Sequence, residues 1–192
     1  MKERPILFSA PMVRAILAGT KTQTRRAMKP QPWARPEPED GLWRLYAGDE
    51  GMEPFPCRYG QIGDRLWVKE SFWGCDLPGY GDTPCVVYDD EWTGGEYAPA
   101  EPRPWARKFG RIPSIHMPRY ASRILLEITD VRVQRLQDIS EADAEAEGVD
   151  RIKAKVPRHL DVYRYLWDGI NGPGAWDANP WVWAVSFRRL IA

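Results

Sequence analysis

The chain has 192 residues and balances 27 Lys plus Arg against 27 Asp plus Glu, a formal net charge of zero, which argues against a protein whose main task is to coat nucleic acid. The length is enough to bury a real core in one domain, and no apolar run approaches the roughly 20 residues that a membrane-spanning helix needs. Cys57, Cys75 and Cys85 form no CxxC pair and match no structural zinc spacing, so a reducing, cytoplasmic setting is expected, with no metal and no cofactor.

The zero sum hides an uneven distribution. No acid occurs from Arg4 to Pro36 or from Pro102 to Leu126, whereas acids cluster in Glu37 to Glu53 and in Asp138 to Asp150. Two basic segments that meet in space would form one positive face able to attract a nucleotide or a single strand.

Pro5 to Phe8 reads as a short buried strand, after which Ser9 offers an N-cap and Pro11 fits the first turn of a helix. Met12, Ala15 and Ile16 fall at helical spacing as its core face, and Gly19 is the expected left-handed terminator. Lys29 to Gly41 is rich in Pro and charge and reads as a loop. Leu42 to Tyr46 is a strand followed by a turn from Gly48 to Gly51. Arg65 to Trp73 is a continuous strand, with Leu66, Val68 and Glu70 on one side and Trp67, Lys69 and Ser71 on the other. Glu70 on an apolar face has two readings, a partner for a basic group in a cleft or a strand end already in solvent.

Between Gly74 and Ile112 two weak strands, Cys85 to Tyr88 and Glu91 to Tyr97, precede an arm rich in Pro and Arg. Ile115 to Ala121 then leads into a strand from Ser122 to Glu127, continuing from Thr129 to Leu136. His116 carries ring nitrogens that titrate near neutral pH. Asp138 to Val149 is a helix with Ser140 as cap and Gly148 as stop, and Glu147 in its last turn sits against the dipole preference, a reason to look for another partner. His159 to Ile170 is a helix with Leu160, Tyr163, Leu166 and Trp167 on one stripe. Trp181 to Arg188 closes the chain as a strand, with Trp181, Trp183, Val185 and Phe187 on one face.

The densest chemistry lies in Ala18-Gly19-Thr20-Lys21-Thr22-Gln23-Thr24-Arg25-Arg26. A lysine acts as a base when its surroundings lower its pKa, a threonine as a nucleophile when such a base is near, and arginines hold phosphate or carboxylate through forked hydrogen bonds. A solvated basic turn leading into an edge strand is the plainer reading of the same residues.

This segment, together with Gly63-Asp64-Arg65-Leu66-Trp67-Val68, Ile115 to Arg123, Leu136 to Gly148 and Asn179-Pro180-Trp181-Val182-Trp183, resembles as an ordered set the ASCH domains of the PUA-like superfamily, in the larger form found in phages and prophages. The resemblance implies an α+β fold, a PUA-like partly open β-barrel with flanking helices, forming a single domain over 1–192 with insertions at about 29–57 and 74–112. It also implies a cleft for a nucleoside, RNA or single-stranded nucleic acid. A small bacterial ASCH enzyme, an amidohydrolase acting on N4-acetylcytidine, is similar in the reactive segment. Its threonine nucleophile, lysine and glutamate fall on Thr24, Lys21 and Glu147, and its arginine falls on Arg26. The resemblance thus implies catalytic roles for Lys21, Thr24 and Glu147, with no metal required. Arg25, Arg26, Glu70, His116 and Arg119 are the candidate substrate-binding groups. Other ASCH relatives are proposed RNA binders or ribonucleases, so a binding module is the alternative that the same resemblance implies.

Overall fold

In a computed structural model, residues 1–33, 36–39, 42–46, 52–75, 85–88 and 111–190 are described. The expected turn from Gly48 to Gly51, the weak strand from Glu91 to Tyr97 and the Pro- and Arg-rich arm that follows it lie outside the described residues.

The N-terminal strand β1 (Glu3–Leu7) leads into helix α1 (Ala10–Leu17). Ser9 is the N-cap by position, but its hydroxyl makes no capping bond. Val13 and Ile16 are the buried residues of α1, while Met12 is only half-buried. The core stripe is therefore turned toward Val13 relative to the expected one. Gly19 closes the helix at φ +76, a backbone angle that costs glycine little. Ala15 O then accepts from both Thr20 N and Lys21 N, at 2.9 and 3.0 Å. This tight exit aims the chain into β2 (Gln23–Ala27).

Strands β3 (Glu37–Glu39), β4 (Leu42–Tyr46) and β5 (Met52–Pro54) form a small antiparallel sheet. It is fastened to the main core by Trp43, edge-on to Trp183 at 5.5 Å, and by Phe55, stacked on Trp183 at 6.2 Å. The continuous strand expected from Arg65 to Trp73 is instead two strands in different sheets, β6 (Arg65–Lys69) and β7 (Phe72–Cys75), with the break at Glu70 and Ser71. The physical reason is visible in the packing. Leu66 and Val68 belong to the main core, whereas Phe72 packs with Ile112, Met117 and Ala121. Strands β8 (Cys85–Tyr88) and β9 (Arg111–Ile112) flank β7.

The long strand β10 (Leu125–Arg135) joins the two segments expected there through one register shift between Ile128 and Asp130. Three helices follow: α2 (Glu141–Ala146), the short α3 (Arg151–Ala154) and α4 (His159–Asn171), before β11 (Trp181–Leu190). The Ser140 hydroxyl caps α2 by accepting from Asp143 N at 3.1 Å.

The main sheet has the order β1-β6-β10-β11-β2 and is mixed. Strand β1 runs parallel to β6, and every other pair is antiparallel. The fold is α+β, built on this open sheet. One face buries Ile6, Leu66, Val68, Leu126, Ile128, Trp183, Val185 and Phe187 with α1. Val182 belongs instead to a second core with Leu136, Ile139, Ala144, Tyr163 and Trp167. Adjacent residues of one strand thus serve two cores, as the alternation of side chains along a strand requires. Strand β2, at the opposite edge of this sheet from β1, is paired to β11 with Thr24 opposite Val185. No helix among the described residues is long and apolar enough to cross a membrane.

Candidate functional site

Lys21 and Glu147 form an isolated antiparallel bridge, and Thr22 N donates to Ala146 O at 2.9 Å. The chain leaving α1 is thereby stitched to the C-terminal end of α2. Gly148 makes the approach possible. At φ +77, a Cβ added there would lie 2.7 Å from the Lys21 Cβ and 2.9 Å from the Ala15 Cβ, distances that real side chains do not tolerate.

The Lys21 ammonium is fully enclosed. Its Nζ donates to the Gln23 carbonyl at 2.8 Å, to the Glu147 carbonyl at 2.8 Å and to Glu147 Oε2 at 2.7 Å. Three acceptors thus meet three donors. The bond to the Glu147 carbonyl also answers the unusual position of this glutamate, because a cation caps the end of α2 where the helix presents free carbonyls. Burial pulls the Lys21 pKa below its ordinary 10.5. Glu147 opposes that shift, while Arg26 and Arg25 add to it.

Arg25 lies against the same carboxylate. Its Nη1 donates to Glu147 Oε1 at 3.3 Å and to Gln23 Oε1, and its Nη2 is 3.0 Å from Asp143 Oδ2. Burial pushes the Asp143 carboxyl up, but Arg25, Gln23 and Arg132 outweigh it, so its pKa is lowered. The guanidinium of Arg25 is fully buried, yet its Nε makes no hydrogen bond, and the same holds for Nε of Arg26. Arg26 otherwise donates to the Leu7 carbonyl and lies over the Phe8 ring at 5.3 Å. Buried N–H groups left without acceptors are uncommon and costly, and among the described residues Nε of Arg65 and the indole N–H groups of Trp167 and Trp181 share that state.

These groups border a cavity of about 50 Å³ between β2 and α4. Thr24, Arg25, Arg26 and Glu147 are on one side, and Tyr163, Leu166, Trp167 and Ile170 of α4 on the other. Thr24 is buried, and among the described residues its hydroxyl makes no hydrogen bond. Tyr163 is the group that sequence reasoning assigned only to packing. It is buried, and burial together with the Glu147 charge pushes its phenol well above 10, so it remains a donor. A buried tyrosine needs a partner for its hydroxyl, which is the signal that the apolar stripe of α4 carried. Asp143 was legible in the same way, because it stands four residues before Glu147 and so on the same side of that turn.

Lys21 itself does not line this cavity, and neither do the remaining candidates. Glu70 is buried and bound by Arg123 through Nε at 3.1 Å and Nη2 at 3.0 Å. Of the two readings of Glu70, this is the paired one, at the break between two strands. His116 is exposed in a 3-10 turn, Ser114–His116. Arg119 is exposed and donates to Glu3 at 2.9 Å.

A larger cleft of about 410 Å³ opens elsewhere, bordered by Lys2, Arg4, Trp43, Cys57, Gln61 and Asp64. Size alone would favour it, but its chemistry does not. Asp64 is occupied by Lys2 N and Arg4 at 2.7 Å each and by Gln61 N at 3.3 Å. Burial raises the Cys57 thiol to about 11, which keeps it protonated and unreactive at neutral pH. The smaller cavity has the carboxylate of the Lys21 pair and a residue whose hydroxyl makes no hydrogen bond, Glu147 and Thr24.

An α+β protein with a buried lysine–carboxylate pair beside a free threonine hydroxyl is the class that fold and geometry define. No protein-family model matches the chain, and no curated protein matches it. Among solved structures it is similar to an ASCH domain from Lactobacillus crispatus JV V101, at 12% identity and a TM-score of 0.41, over 98% of this chain and 79% of that one.

Proposed function

We propose that this protein is an amidohydrolase for an N-acylated nucleobase or nucleoside of the N4-acylcytidine type, working in the cytoplasm. The observation that carries the reading is the 2.7 Å contact between Lys21 Nζ and Glu147 Oε2 beside the cavity that Thr24 lines. The ASCH resemblance of the reactive segment supplies the substrate class.

The chemistry follows from the proton positions. Glu147 takes one proton from Lys21, leaving an amine whose lowered pKa suits it to accept another. The Thr24 Oγ1 attacks the acyl carbon as its proton passes to Lys21. The carbonyl oxygen becomes an oxyanion, which the positive charges of Arg25 and Arg26 at the cavity wall stabilise. The C–N bond then breaks, and Lys21 returns the proton to the leaving amine. Water hydrolyses the Thr24 ester by the same route in reverse order, releasing a carboxylic acid and restoring the hydroxyl.

Hydrolysis of N4-acetylcytidine by purified protein, followed by ultraviolet absorbance and chromatography, tests this directly. Thr24→Val preserves shape and removes a hydroxyl that holds no other bond, so it is expected to keep the melting temperature while reducing kcat by at least about 10³-fold. Equal rates for Thr24→Val and the unaltered protein would exclude threonine as nucleophile. A nucleic-acid-binding role draws support from the exposed rings of Trp33, Tyr120 and Tyr165. It requires affinity for single-stranded oligonucleotides that falls steeply with salt.

A further inference from the structure

We infer that the cavity beside Thr24 is a pocket for the acyl group alone, that it limits the substrate to short acyl chains of about acetyl size, and that the nucleobase stays outside it. The inference rests on the amidohydrolase reading and adds what that reading leaves open, namely which part of the substrate is enclosed and how large it can be.

The argument begins with volume. A water-sized group needs on the order of 10–15 Å³ of such space. The cavity offers about 50 Å³, enough for roughly three or four such groups. An acetyl group has three non-hydrogen atoms and fits, whereas a nucleoside site falls in the range of several hundred Å³.

The second step is polarity. Thr24, Arg25 and Glu147 line the cavity and are all buried, so its enclosed end is the polar one. These are the groups that must meet a carbonyl carbon and its oxygen. Toward the mouth the lining opens and mixes apolar with polar, with Met12 half-buried and Ile170 and Asn171 exposed. Such a partly open rim offers the flat face of a heterocycle apolar contact at Met12 and Ile170 and its edge a hydrogen-bonding amide at Asn171, while the carbonyl reaches the polar end.

The third step concerns what limits the chain. Trp167 is buried and closes one side, and Leu166 precedes it on the same helix. Extra methylenes have nowhere to go without moving α4 from its packing in the second core. A close-packed wall of this kind discriminates by about 10–200-fold per methylene.

The test is a series of N4-acylcytidines carrying formyl, acetyl, butanoyl and benzoyl groups, with kcat/KM measured for the unaltered protein and for Leu166→Ala. Expected is efficient cleavage of the formyl and acetyl compounds and a fall of at least about tenfold for butanoyl, with a further fall for benzoyl. Leu166→Ala is expected to recover the larger substrates by at least about tenfold relative to acetyl. Leu166→Val provides a second, smaller enlargement of the same wall, with less at stake for folding. Cleavage of acetyl and benzoyl compounds at equal rates would overturn the inference while leaving the amidohydrolase reading in place. A ratio unmoved by both enlargements would overturn it too. No cleavage of any member would remove the reading and the inference together.

Discussion

Asp64 and Glu147 are both buried carboxylates that tie distant parts of the chain together, and they are surrounded in opposite ways. Around Asp64 the accounts close. Lys2 N, Arg4 and Gln61 N all donate to it, and they fix the start of β1 beside the turn that opens β6. Around Glu147 there is a surplus of donors. Lys21 and Arg25 both reach it, Tyr163 faces it, and the Nε groups of Arg25 and Arg26 are still without acceptors. A buried carboxylate with matched donors holds a scaffold, whereas Glu147, with donors to spare, borders a cavity shared with a threonine whose hydroxyl makes no hydrogen bond.

Removing the charge of Glu147 gives the largest expected effect. In Glu147→Gln the Lys21 ammonium stays enclosed with only carbonyl acceptors, and breaking a buried pair from one side costs about 3–5 kcal/mol. Urea denaturation at neutral pH measures this. The loss should shrink as pH rises. The Lys21 pKa is already below 10.5 in the folded chain, so between that lowered value and 10.5 the unfolded chain holds more protons and stability increases with pH. Deleting its counter-ion lowers the folded pKa further and widens the window toward neutrality. A variant as stable as the parent at pH 7 would mean that Lys21 is not charged there.

Asp64→Ala is expected to cost less, about 1–3 kcal/mol, because the donors it abandons border an open cleft and can be hydrated. Here the pH dependence has the opposite sign. Burial pushes this carboxyl up, but Lys2 N, Arg4 and Gln61 N more than compensate, so its pKa lies below 3.8. Its contribution is present above the unfolded value and is lost as pH falls through the folded one. The acid side of the stability curve should therefore flatten in Asp64→Ala, with hydrolytic activity per folded molecule unchanged. A fall in activity without a fall in stability would place Asp64 in the chemistry and end the contrast.

The two carboxylates also differ in how far they were legible. Gly63-Asp64 stood out as a turn before a strong strand, and its partners Lys2 and Arg4 lie just before and within the strand that pairs with it. Glu147 stood out only because an acid at a helix end opposes the dipole, and the ASCH resemblance connected it to Lys21. Local signals carried the elements well: the Gly19 exit from α1, the Ser140 cap, the alternation of β11. They failed where packing decides between equals. One of the two readings of Glu70 put a strand end there, but nothing in Arg65 to Trp73 shows that a second sheet begins beyond it, because apolar residues continue on both sides and only the separate core around Phe72 divides them. Convergence of residues 21, 25, 143, 147 and 163 on one point is likewise a tertiary fact, invisible to spacing along the chain.

Tyr163→Phe is the finest test of the contrast, because it removes one donor from the cluster that has a surplus. The phenol is held well above 10 by burial and by the Glu147 charge, so at neutral pH it faces the carboxylate as O–H and accounts for one of several favourable interactions there. With Lys21 at 2.7 Å and Arg25 at 3.3 Å still in place, the glutamate keeps a donor on each oxygen. The ring also keeps its packing against Trp167 and Trp176, both at 6.2 Å between centroids. The expected loss of stability is therefore at or below about 1 kcal/mol, the net worth of a single replaceable hydrogen bond. Activity should respond differently, because Glu147 opposes the lowering of the Lys21 pKa and a carboxylate shared with one donor fewer opposes it more strongly. The acid limb of the kcat/KM profile would then move to higher pH, toward the ordinary 10.5 of lysine. A stability loss above about 2 kcal/mol would show that Glu147 depends on each donor as strictly as a closed network does, and the distinction between the two carboxylates would have to be drawn on other grounds.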